Sequence, residues 1–140
     1  MKTIKTIIIM TFLASLLLAA CSTQAAPAAI LKISGGKAEV NLTASELKGK
    51  SQIEVEYTGK DGTVTKFTGT ALKQLLTEIT DANTLTFVGK DGYTADLSGA
   101  DLLKCDSCIV AFQDDGGIRT VMPGQSGKYQ VKDLVEIKIK

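Results

Sequence analysis

Few residues in this chain are equipped for chemistry. They are one C-x-x-C pair (Cys105-Asp106-Ser107-Cys108), two Gly-Lys-Asp-Gly tetrapeptides (Gly59–Gly62 and Gly89–Gly92), and the basic residues Arg119 and Lys132 on either side of a Pro-Gly loop. The cysteine pair supports three readings. A disulfide is what two thiols so spaced form in an oxidising compartment. An exchanging redox pair needs one thiol of depressed pKa, which C-x-x-C motifs can supply. A metal site would need more donors: structural zinc takes four, and the chain has no His and no second pair, leaving Asp106 as a weak oxygen ligand. Without His, Ser-His-Asp and Cys-His nucleophilic arrangements are excluded.

The glycine-rich stretches have two readings. A phosphate cradle needs a Gly-rich turn that opens onto a helix N-terminus, where free N–H groups meet the anion. Each Gly-Lys-Asp-Gly instead lies between β-patterned runs, where Asp-Gly favours a hairpin because Gly accepts the positive φ of the turn. Gly124-Gln125-Ser126-Gly127-Lys128 is too short for a P-loop and continues with Tyr129 rather than Ser or Thr. Glu54 and Glu56 share one strand face and read as a solvated surface. Arg119 precedes the loop Pro123–Gly127 and Lys132 follows it, so both could converge on one anion or both could be surface residues.

The positioning elements are mostly strands. Ile30–Ile33 is an expected first strand, ended by Gly35-Gly36. Thr43-Ala44-Ser45-Glu46 is a capping box, opening a short helix to about Lys48 that stops at Gly49. Ile53, Val55 and Tyr57 alternate with polar residues, and Thr63–Phe67 forms the return strand. Ala71, Leu72, Leu75, Leu76 and Ile79 are at helical spacing. Thirty residues on, the plan repeats: Leu85–Val88, the second tetrapeptide, Tyr93–Leu97, and a helical turn capped by Ser98. Cys108–Gln113 reads as a central strand, turned by Asp114–Gly117 into Ile118–Met122. Val135, Ile137 and Ile139 predict a closing edge strand, with Lys138 and Lys140 as its guards against aggregation.

The first twenty residues stand apart. Lys2 and Lys5 precede the apolar stretch Ile7–Ala20, which is short for a membrane span and has the form of a secretory signal. It ends Leu18-Ala19-Ala20-Cys21, a pattern that resembles the lipobox of bacterial lipoproteins, in which the cysteine is acylated and becomes the new N-terminus. Several acyl chains on Cys21 would anchor the chain stably to membrane lipid, placing it outside the cytoplasm on the cell membrane or outer membrane. Residues 1–20 are thus the expected signal, 21–29 a small polar tether, and 30–140 one domain. Without Lys2 and Lys5, fourteen basic residues face fifteen acidic ones, and with no basic run and no Trp nothing suggests nucleic acid.

Four segments in order carry a family resemblance. They are Phe67-Thr68-Gly69-Thr70-Ala71-Leu72-Lys73-Gln74-Leu75-Leu76; Val88–Tyr93 with its Asp-Gly-Tyr; Ile109-Val110-Ala111-Phe112; and Ile118–Gly124 followed by Val131-Lys132. Together they make the chain, from about Leu42 to Ile139, similar to the molybdopterin-binding domain of the sulfite oxidase family, in a small bacterial lipoprotein form. The resemblance implies an α+β fold, a sulfite-oxidase-like mixed β-sheet domain with short helices. In full-length members it implies a molybdenum–pterin oxidoreductase. It also implies that Arg119 and Lys132 occupy positions near the pterin phosphate. The family's metal-binding cysteine belongs at the end of the strand before Phe67-Thr68-Gly69, where this chain reads Val55-Glu56-Tyr57-Thr58-Gly59. Neither Tyr nor Thr replaces that soft ligand. The expectation is therefore a lipid-anchored binding domain for a small ligand or redox partner protein, with no cofactor required. The alternative is a redox protein acting through bound molybdopterin or through Cys105–Cys108.

Overall fold

A computed structural model of the chain describes residues 26–140; the expected signal, Cys21 and residues 22–25 lie outside the described residues. Nine strands and three short helices follow in the order β1 (Ala29–Ser34), β2 (Val40–Thr43), α1 (Ala44–Lys48), β3 (Gln52–Thr58), β4 (Val64–Ala71), α2 (Leu72–Leu75), β5 (Thr84–Gly89), β6 (Thr94–Ser98), α3 (Gly99–Leu103), β7 (Ile109–Phe112), β8 (Ile118–Val121) and β9 (Leu134–Ile139). They build a five-stranded sheet, β2-β1-β9-β5-β6, and a four-stranded sheet, β3-β4-β7-β8. The architecture is α+β with the sheets dominant.

Local chemistry sets several of these boundaries. Thr43 caps α1 with a complete capping box: its hydroxyl accepts the Glu46 N–H, and the Glu46 carboxylate accepts the Thr43 N–H. Ser98 caps α3 in the same way, accepting from the Asp101 N–H. The Gly-Lys-Asp-Gly segments are hairpin turns, one in each sheet. In each the first Gly donates its N–H to the residue after the turn (Gly59 to Thr63, 2.8 Å; Gly89 to Tyr93, 2.9 Å), and the last Gly has positive φ (Gly62 +81°, Gly92 +85°). Gln113–Gly117 makes the same turn a third time, with Gln113 donating to Gly117 at 2.8 Å and Gly116 at φ +85°.

Two expectations are corrected. The closing strand is no edge: β9 lies in the middle of its sheet, parallel to β1 and antiparallel to β5, and Ile137 is fully buried. Its alternation reflects a sheet covered on one face at Ile137 and Ile139, but a bulge opposite Val88–Gly89 buries Leu134 and leaves Val135 exposed. Lys138 stands on the solvent face, beside Glu136 at 3.6 Å, rather than guarding an edge. The helix expected over Ala71–Ile79 is the four-residue α2, Leu72–Leu75: β4 extends to Ala71 and takes the first residue into the sheet, and the helix ends at Leu75. Leu72 and Leu76 are nonetheless buried, with Leu75 and Ile79 packed against the same core. Strand β2, not expected from any local pattern, pairs with β1 through Leu31–Leu42.

The main core joins both sheets. Leu31, Ile33, Leu85, Phe87, Leu97 and Ile137 meet Val110, Ile118 and the helical Leu47, Leu72 and Leu102. Each fully buried side chain of this size contributes about 1.5–3 kcal/mol relative to exposure. A second cluster, Val55, Ile109, Ala111 and Val121 with Ile53, Tyr57 and Phe67 against it, occupies the opposite face of the four-stranded sheet.

The outer edge of β8 is closed by side chains and loop backbone. The Thr120 N–H donates to Val131 O (3.0 Å), the Thr120 hydroxyl donates to Tyr129 O and accepts from the Val131 N–H, and Gln130 bonds both the N–H and C=O of Met122. Thr120 is completely buried. Thr120→Val keeps its shape but leaves Tyr129 O and Val131 N–H unpaired, a loss of about 2 kcal/mol in urea unfolding. An unchanged midpoint would show that this clamp is dispensable.

Candidate functional site

The geometry of the site starts at a glycine. Strands β4 and β7 pair only over Gly69–Ala71 and Ala111–Ile109, although β4 begins five residues earlier at Val64. Beyond Gly69 the β3–β4 hairpin leaves the sheet as an arm, and the Lys60 side chain at its tip comes near Gly127 in the loop after β8. Between arm and sheet lies an open cleft of about 600 Å³. Thr65, Lys66, Phe67 and Thr68 form one wall and Phe112–Asp115 the other, and both Arg119 and Lys132 reach into it.

The structure thus brings together the two basic residues that the sequence singled out. Arg119 is half-buried, its guanidinium 5.1 Å from the centre of the Phe67 ring, and its Nε is buried with no hydrogen-bond partner. Burial pulls its pKa below the ordinary arginine value, and nearby Tyr57 works in the other direction. A guanidinium keeps its proton in proteins, so the result is a partly desolvated cation with one buried N–H lacking an acceptor. Lys132 is exposed at the rim. Neither takes part in an ion pair among the described residues. The third cation, Lys66, is held by Glu54 (3.1 Å) and Glu56 (3.6 Å). Sequence reasoning did not single out Phe67 for the site. Its signal was the motif that carries the resemblance, where Phe67 occupies the aromatic position two residues before Gly69.

Cys105 and Cys108 are disulfide-bonded. Both are buried in the main core, about 8% and 1% exposed, so neither sulfur is open to an attacking thiolate. Asp106 points outward and pairs with Lys73 at 2.6 Å, which lowers its pKa. The pair is not among the residues that line the cleft.

A thiolate-held molybdenum does not fit these residues. Both described cysteines are consumed by the disulfide, and the end of β3 offers Tyr57 and Thr58. Among the described residues no three Cys, Asp or Glu side chains cluster as metal ligands. The cleft's lining instead offers Arg119 and Lys132 as cations without an ion pair among the described residues, beside the paired Lys66 and the carboxylates of Asp114 and Asp115.

No protein-family model matches the chain, and no curated protein does. Among solved structures, the chain is similar to the sulfane dehydrogenase SoxCD from Paracoccus pantotrophus, with a TM-score of 0.64 at 18% identity. The match covers 78% of this chain and 37% of that one, so the chain spans well under half the length of that protein. The likeness establishes the fold, a sulfite-oxidase-like one, in line with the resemblance carried by the sequence.

Asp115, on the cleft wall, accepts the Gly117 N–H at 2.9 Å, and this bond, helped by the Gln113 side chain, holds its pKa below the ordinary 3.8. A carboxylate with a depressed folded pKa stabilises above its unfolded pKa, and that contribution is lost as pH falls through the folded value. Asp61 in the first turn is lowered by the same kind of bond, from the Thr63 N–H. Stability should therefore decline in acid below about pH 4. The decline should be shallower in Asp115→Asn, which keeps the acceptor oxygen but cannot titrate. Superimposable pH–stability curves would refute this role.

Proposed function

We propose that the chain is a binding domain, anchored by lipid at Cys21 outside the cytoplasm, that holds a small phosphate-bearing ligand in the cleft between β4 and β7 without catalytic molybdenum. One observation carries the reading: Arg119 is half-buried with an unpartnered Nε and shares its cleft with Lys132, which has no ion pair among the described residues. A phosphate in the cleft would neutralise a half-buried cation that has no counter-charge among the described residues. Phe67 supports the guanidinium from its ring face, and Lys132 supplies a second charge at the mouth.

The resemblance to a molybdopterin-binding domain and the likeness to SoxCD support a ligand of that general chemistry, an aromatic group bearing phosphate. In this reading the cleft keeps the anion-holding part of such a site and lacks the thiolate that would hold the metal. The buried disulfide serves as a staple at the end of α3, which favours binding over thiol exchange.

Arg119→Met tests the reading because stability and binding should separate. Replacing a half-buried cation that has no partner with an apolar side chain of similar length should leave the unliganded protein within about 1 kcal/mol of the parent, or more stable. Inorganic pyrophosphate should raise the melting temperature of the parent and of Lys132→Arg, and leave that of Arg119→Met unmoved. Equal shifts in parent and Arg119→Met would contradict the assignment.

A further inference from the structure

The four edges of the two sheets are treated differently. On β8 the outward backbone groups are occupied by Thr120, Gln130 and Val131. Strand β2 has only four residues and pairs through an irregular register, and β6 packs beside the Gly127–Tyr129 turn, where Tyr93 OH donates to Lys128 O at 2.9 Å. Strand β3 has none of these protections. It is seven residues long, pairs with β4 in unbroken register from Gln52–Thr70 to Thr58–Val64, contains no Pro or Lys, and has no strand on its other side among the described residues.

Its hydrogen-bonding direction follows from the turn. The Gly59 N–H bonds Thr63 O, so by antiparallel alternation Tyr57, Val55 and Ile53 point their backbone groups at β4. Glu54 and Glu56 therefore turn their N–H and C=O groups outward along the open edge. Their carboxylates are about 58% and 62% exposed on one face and share a single lysine, Lys66. The other face carries half-buried Ile53 and Tyr57 around Val55, an apolar row continued by Phe67.

This pattern selects its occupant. In a second copy paired antiparallel about Val55, Glu54 would stand opposite the partner's Glu56, with like charges in direct register, so self-pairing is disfavoured. We infer that the β3 edge docks an extended segment of a partner protein in which basic residues alternate with apolar ones. The basic side chains lie opposite Glu54 and Glu56, and the apolar ones extend the row Ile53–Val55–Tyr57. The backbone of Glu54 and Glu56 supplies the ladder, and the Glu side chains supply the selection. The edge adjoins the cleft and shares Phe67 and Lys66 with it. Glu54 and Glu56 are nevertheless distinct from Arg119 and Lys132 and are read by a different probe, so either assignment can fail alone.

The test uses the chain from Ser22 to Lys140 and a short synthetic peptide of alternating Lys and Val, with a twin carrying Glu in place of Lys. Amide hydrogen exchange read by NMR should slow on the order of tenfold at Glu54 and Glu56, and not at Val55, when the Lys peptide is added. The Glu twin should have no effect. Glu54→Lys/Glu56→Lys should weaken binding of the Lys peptide about tenfold and admit the Glu twin, and it should melt below the parent because residue 56 lies opposite Lys66. Glu54→Gln/Glu56→Gln, which creates no like-charge pair, should stay folded and no longer distinguish the two peptides. Glu54→Pro, which removes one outward N–H without touching the β4 ladder, should also weaken docking. The inference is overturned if Glu54 and Glu56 gain no protection or if both peptides protect them equally. It is also overturned if protection rises with protein concentration alone, which would mean that a second copy occupies the edge.

Discussion

The close approach of Gly69 to β7 is the constraint on which the site depends. A Cβ built on Gly69 would lie 2.2 Å from Val110 O and 2.8 Å from Ala111 Cα, so no side chain fits where the two strands touch. That contact binds β4 to β7 at one end and lets the rest of the β3–β4 hairpin leave the sheet as an arm. The arm forms one wall of the cleft and sets Phe67 against Arg119, and β3, the terminal strand of its sheet, runs along its outer side.

The hairpins were the most legible part of the sequence because their chemistry is local. Asp-Gly with positive φ at Gly and an N–H bonded to the Asp side chain identifies the turns at Gly59–Gly62 and Gly89–Gly92 without tertiary information. The third copy was harder to see, since Gln113 replaces the leading glycine while the Asp115-Gly116 chemistry is unchanged. The caps at Thr43 and Ser98 were readable for the same reason.

Where sequence reasoning failed, the missing information lay in the sheet order. Alternation in Val135, Ile137 and Ile139 marks a strand with one covered face, and it cannot distinguish an edge from the centre of a sheet. Helical spacing from Ala71 onward was real, but the sheet took its first residue into β4. Thr120 and Gln130 carried no signal at all, because their work is to complete a ladder whose partner is far from an ordinary strand. Arg119 and Lys132 were named on loop proximity and family position; their common cleft depends on the arm, which no local pattern describes.

On the reading proposed above, a sulfite-oxidase-like fold, shared with part of the much longer SoxCD, holds a phosphate-bearing ligand in its cleft without molybdenum. Native mass spectrometry of the protein purified from its own host tests that account most directly. The result expected is a non-covalent phosphate-bearing ligand in one-to-one ratio, no molybdenum, and an acylated Cys21. Stoichiometric molybdenum, or a retained ligand without phosphate, would contradict it.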